Sequence, residues 1–271
     1  MTEYFPGGFL YGLPINAFDI ALLWQPFEVM TRRQSRRDGV PQLPSWSWVG
    51  WQGRIHWDCW KEEYQSKNDP EEPNSSFTAL RAKHTTLITP IAEFLYVCDG
   101  EVNGVKTAYH VLQTDTSTLL SRQPSPVLSV RAPLARVKLW KGGLVLGAGF
   151  YLRERGGFYH WITLPDSTSP SPQCGVLFMQ LDLHTQIPDV TECELIVLSR
   201  ATSSLAKESS WLIIRNHYPP PDHLQKKERY EYYNVMWITR KDGVAYRKAI
   251  GKIATAAWDS LSPQWHFLSL G

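Results

Sequence analysis

The feature that most constrains this chain is a succession of short strand-type runs, spaced about ten residues apart and divided by Gly, Pro, Ser and Asn, with almost no helical periodicity between them. Apolar or β-branched segments occur at Ile91–Cys98, Phe158–Leu164, Val176–Leu183, Cys193–Ser199, Trp211–Ile214 and Tyr232–Thr239. Ala135 to Leu139 alternates with a period of two, and Leu144–Leu152 reads as its return across Gly142-Gly143. The segment from Ala17 to Phe27 fits a strand or a short helix. One helical signal stands out: Ile253, Ala257 and Leu261 recur every four residues and Pro263 stops them. No repeat of fixed period appears. The pattern predicts an all-β, mainly antiparallel fold, a β-barrel or β-sandwich with one or two short helices.

A length of 271 residues suits a single domain of this class, because all-β units commonly run beyond the usual 150 or so. The chain is 43% hydrophobic and 20% charged, so a sizeable core is expected without disulfide staples. Residues 61–86 are the most polar long stretch and read as a surface loop or lid, and Pro165–Gln173 and Tyr218–Glu228 read as further loops.

A net charge of +2 argues against nucleic acid as a partner. The cluster Arg32, Arg33, Arg36 and Arg37 is read as a solvated or ion-paired rim. No run of about 18 apolar residues exists to span a membrane, and the first residues lack the pattern of a secretory leader. Cys59, Cys98, Cys174 and Cys193 fit no zinc spacing, so no metal is expected and the thiols are read as reduced, in a cytoplasmic protein. No phosphate loop or dinucleotide fingerprint occurs, so no cofactor is expected.

Several phrases resemble the region that follows the signature domain in fungal heterokaryon-incompatibility (HET) proteins. They are Phe18–Trp24, Arg32-Arg33, Pro44–Gly53, Phe178–Asp182, Glu194–Ser199, Tyr233–Ile238, Gly243–Ile253 and Leu268–Gly271. The most specific is Pro44-Ser45-Trp46-Ser47-Trp48-Val49-Gly50-Trp51. The resemblance implies a fungal origin and a link to self/non-self recognition and cell death. The signature domain's own phrases do not occur in these residues, so none of its functional residues is carried over.

Twelve tryptophans are the most unusual part of the composition. Trp46, Trp48, Trp51, Trp57 and Trp60, with Trp237 and Arg247, are the candidate walls of an apolar pocket, since ligand sites are concave and ring-lined. The competing reading is core packing. Alternation places Trp46 and Trp48 on one face of a strand, with Gly50 at a bulge or close backbone approach. His56 and Asp58 alternate beside these rings and are candidate acid/base groups. Cys59 is the less favoured nucleophile, because neighbouring strand residues point to opposite faces. Tyr233, within the set Tyr230, Tyr232, Tyr233 and Trp237, is a candidate hydrogen-bond donor to a substrate carbonyl. Asp182 is expected to pair with Arg247 or Arg200, because a buried charge needs a partner.

Two functions follow. One is a cofactor-free enzyme, a cyclase, isomerase or lyase of secondary metabolism, that holds a hydrophobic small molecule in a reactive conformer. The other is a non-catalytic binding or scaffold module with a fungal protein partner.

Overall fold

The structure is a computed structural model that describes residues 8–15, 18–26, 29–34, 42–56, 88–98, 101–105, 125–142, 157–204 and 229–271. The expected polar segment 61–86, the return strand Leu144–Leu152, the run Trp211–Ile214 and the loop Tyr218–Glu228 lie outside the described residues.

In chain order the elements are β1 (Phe9–Leu10), β2 (Leu13–Pro14), α1 (Phe18–Ala21), β3 (Gln25–Pro26), β4 (Thr31–Arg32), a 3-10 turn (Trp48–Gly50), β5 (Trp51–Gln52) and β6 (Ile55–His56). Then come β7 (Ile88–Pro90), β8 (Glu93–Cys98), β9 (Glu101–Val105), β10 (Leu128–Trp140), β11 (Gly157–Thr163) and β12 (Gly175–Gln180). The chain continues through α2 (Leu181–Gln186), β13 (Val190–Ser204), β14 (Arg229–Lys241), β15 (Val244–Ala254), α3 (Thr255–Ser260) and β16 (Gln264–Leu270). The fold is all-β and mainly antiparallel. Among the described residues no helix is long and apolar enough to cross a membrane.

One large sheet closes on itself. Its path runs β13-β14-β15-β12-β11-β10, every step antiparallel. The far edge of β10 then pairs back to β13 from Leu134↔Ile196 to Trp140↔Val190, which completes a six-stranded barrel. The barrel interior is filled by Val137, Leu139, Ile162, Leu177, Leu195, Val197, Val235 and Ile253, and α3 covers it with Ala257 and Trp258.

The longest strands serve two layers. In β13, Cys193, Leu195 and Val197 face the barrel, while Ile196 and Leu198 join a second core. Burial on both faces explains why this strand reads as a continuous apolar run rather than an alternating one. β10 changes allegiance along its length. Leu128, Val130, Ala132 and Leu134 belong to the second core, and Ala135, Val137 and Leu139 to the barrel. Pro133 falls between the end of the β8 ladder at Arg131 and the start of the β13 ladder at Leu134. On that edge a residue without an N–H leaves no ladder bond unmade.

The second core lies between these strands and the N-terminal residues. Leu10, Leu13, Phe18, Leu22, Trp24, Met30 and Trp46 pack against Phe94, Leu128, Ile196, Met236 and Leu268.

Two expectations are refined. The strand from Val176 ends at Gln180, and α2 follows because Leu183 and Ile187, four apart, both pack against the barrel cluster. The helix signal at the end appears as α3, with Ala257 fully buried. β14 and β15 meet at Asp242-Gly243, whose φ values of 52° and 78° suit a two-residue hairpin turn.

A candidate functional site at the tryptophan-rich junction

The Ser45–Trp51 phrase does not form the alternating strand expected of it. Residues 45–46 turn, and Trp48–Gly50 winds into a 3-10 turn. The serines decide the matter. Ser47 Oγ accepts from the Val49 N–H at 3.2 Å and donates to the Tyr11 carbonyl at 2.5 Å, so the side chain offers the backbone a cap in place of a ladder. Gly50 is required by close approach, since a Cβ there would lie 2.3 Å from the Pro44 carbonyl oxygen and 2.4 Å from Arg32 Nη1.

The indoles of this junction are tied to backbone. Trp24 Nε1 donates to the Trp46 carbonyl at 2.8 Å, and Trp46 Nε1 to that of Pro126 at 3.2 Å. Trp48 donates to Gly12 at 3.3 Å and Trp51 to Ser45 at 3.0 Å. Trp46 is fully buried, and its ring meets Tyr11 and Phe18 edge-on, each with centroids 5.7 Å apart. Trp48 and Trp51 are half-buried against the same core.

Arg247 reaches into this junction from β15. Its Nη1 donates to the Leu22 carbonyl at 2.7 Å, its Nη2 to that of Trp24, and the guanidinium lies 3.8 Å from the centre of the Trp24 ring. Burial pushes its pKa well below the usual arginine value. A guanidinium nevertheless stays charged in a protein, so two carbonyl dipoles and an indole face offset the desolvation. The expected pairing of Asp182 falls on a side chain outside the described residues; Arg247 itself is held by carbonyls, because β15 carries it toward the segment after α1. Arg200 meets Glu231 at 2.5 Å. The backbone N–H of Arg247 donates to Ser45 Oγ at 3.1 Å, and Ser45 donates to the carbonyl of Gly271. Residues near the start and the end of the chain thus meet at one serine.

Arg32 strengthens the rim. It donates to the carbonyls of Leu43, Pro44 and Gly50 at 2.5, 3.1 and 3.1 Å, and stacks 4.9 Å over Trp51. Burial lowers its pKa. Arg33 Nε donates to the Trp51 carbonyl at 2.7 Å, while Arg36 and Arg37 lie outside the described residues.

The other candidates fall elsewhere. Trp237 is 5% exposed and packs in the barrel cluster, on the face of β14 turned away from the junction. Tyr233 packs at the edge of the barrel cluster, its hydroxyl donating to Asp259 Oδ1 at 3.2 Å and its ring 6.3 Å edge-on from Trp258. Burial, and then the Asp259 carboxylate, push its phenol pKa up, which keeps it a hydrogen-bond donor rather than a base. The His56 backbone pairs with Gln25, and its side chain, with Trp57, Asp58, Cys59 and Trp60, lies outside the described residues. The structure thus gathers Trp46, Trp48, Trp51 and Arg247 and separates them from Trp237 and Tyr233. Sequence reasoning missed Trp24, Ser45 and Ser47 as members of the junction; the two serines between the tryptophans were the available signal.

No family model matches the chain, no curated protein matches it, and no solved structure matches it.

Proposed function

We propose that this chain is a non-catalytic binding module of the kind that follows the HET signature domain, acting through a protein partner. The observation that carries the reading is the use made of the tryptophan-rich phrase. Four indole N–H groups and the Arg247 guanidinium are all directed at backbone carbonyls, so the rings best placed to wall a ligand instead join the N-terminal residues to the sheet. The barrel adds support. Eight strands give an interior just wide enough for side chains or one small ligand, and six give less.

The cofactor-free cyclase or isomerase reading draws on His56, Asp58, Trp57 and Trp60, and no described contact favours it. Isothermal titration of the purified chain with a purified HET signature domain tests the proposal. Saturable binding supports it. Absence of binding, together with saturable uptake of a hydrophobic small molecule that changes tryptophan fluorescence, overturns it.

A further inference from the structure

We infer that the outer edge of β16 is the pairing surface for a second copy of this chain. β16 reads Gln264-Trp265-His266-Phe267-Leu268-Ser269-Leu270 and carries no Asp, Glu, Lys or Arg. One edge is fully laddered to β10, from Leu134↔Gln264 to Leu128↔Leu270. The other edge meets β15 only at Val244↔Ser269 and Ala245↔Leu270. Gln264 to Phe267 therefore present an unladdered edge among the described residues, with all four side chains exposed. Strand edges in soluble proteins are usually guarded by charge, proline or a covering element. Here Pro263 limits the edge on its N-terminal side, and β16 itself supplies no charged residue to guard it beyond that point.

The same segment holds the most exposed large rings among the described residues. Trp265 is 49% exposed and Phe267 is 77% exposed, two residues apart and so on one face. Arg131 on β10 lies against both, 4.7 Å from the Trp265 ring centre and 5.8 Å from that of Phe267, and its other side is held by Glu93 at 2.9 Å. The rings are thus backed by a fixed guanidinium, which lowers the entropy lost when they are covered.

The sequence is self-complementary at this edge. An antiparallel pairing centred on His266 sets Trp265 opposite the second copy's Phe267, and Phe267 opposite the second copy's Trp265. Directly opposed residues in such a pair have Cβ atoms about 4.5–5.5 Å apart, so four rings form one continuous row. An extended heterologous peptide could also add to the edge, but only a copy of this strand supplies a ring opposite each exposed ring by symmetry. The area sets the strength. With full side-chain areas of about 200–250 Å², the exposed fractions give about 550 Å² of ring surface over two copies, below the ~1,200 Å² of a standard interface even after the strand edge is added. The dimer is accordingly weak and forms with concentration.

Sedimentation equilibrium of the full chain from 1 to 500 μM, by absorbance and interference, tests this. The expected result is a monomer–dimer equilibrium that Trp265→Lys and Phe267→Glu each weaken at least about tenfold. An equimolar mixture of the two single variants sets one introduced lysine opposite one introduced glutamate and keeps one Trp265–Phe267 pair, and is expected to associate at least about threefold more tightly than either variant alone. Both sites are solvent-facing, so circular dichroism melting confirms that each variant folds. A chain that stays monomeric to 500 μM overturns the proposal. So does association that survives either single change, or a mixture of the two variants that associates no more tightly than each alone.

Discussion

Removing the Trp46 ring is the sharpest perturbation of the junction. Trp46 is fully buried, so Trp46→Ala removes a side chain that covers about 200–250 Å², worth about 5–6 kcal/mol by transfer. Measured Trp→Ala and Phe→Ala changes in cores cluster at about 3–5 kcal/mol after partial collapse. Trp46→Phe keeps much of the edge contact with Tyr11 and Phe18 and loses the N–H donated to Pro126, so its loss is about 1–2 kcal/mol. With a urea slope of about 3 kcal/mol/M for a chain this long, the midpoint falls by about 1–1.7 M for Trp46→Ala and by about 0.3–0.7 M for Trp46→Phe. Urea titration followed by circular dichroism reads both shifts. A midpoint change under about 0.3 M for Trp46→Ala would refute the reasoning, because a ring lining a hollow leaves little packing behind when it goes.

Three further outcomes follow from the same structure. Gly251→Ala would place a Cβ 2.0 Å from the Val176 carbonyl oxygen in the barrel wall, so stability is expected to drop by about 1–3 kcal/mol in the same titration. Cys174 and Cys193 are buried, with the Cys174 thiol pushed up to about 12 and Cys193 also raised, so neither reacts with a thiol reagent at pH 8 until the chain unfolds; peptide mapping that finds either labelled within minutes contradicts this. The raised Tyr233 pKa means that the folded chain binds a proton that the unfolded chain releases near pH 10. Stability therefore falls as pH rises past that point, and Tyr233→Phe shows a shallower decline in melting temperature between pH 9 and 11.

Much of the sheet was legible because its central strands are buried on two faces. Cys193–Ser199 and Tyr232–Thr239 could hardly be anything but strands, and Ala257 marked the one late helix. The hairpin at Asp242-Gly243 also carried a local signal, since both residues tolerate the left-handed backbone. Closure of the barrel was not legible. It rests on β10 pairing with β13, fifty to sixty-two residues apart in the chain, and on β10 changing layers between Leu134 and Ala135, which no local pattern encodes. The tryptophan phrase misled in an instructive way. Trp46 and Trp48 alternate as strand residues do, but the serines around them form side-chain bonds that bend the backbone, and hydrogen bonding outweighed periodicity. Arg247 could not be assigned from sequence because its partners are carbonyls, which every residue carries. The exposed pair Trp265 and Phe267 went unread because alternation gives the shared face of two rings but not whether that face is covered.

The most direct test is hydrogen exchange at the indole nitrogens, followed by NMR on the uniformly nitrogen-15-labelled chain. If these rings join the N-terminal residues to the sheet, the Trp24 and Trp46 indole protons exchange only through global unfolding, at rates set by the same free energy that urea reports. Exchange of either proton within minutes under native conditions, far ahead of the amides of β13 and β14, would mean that the junction opens to solvent and that the tryptophans wall an accessible space.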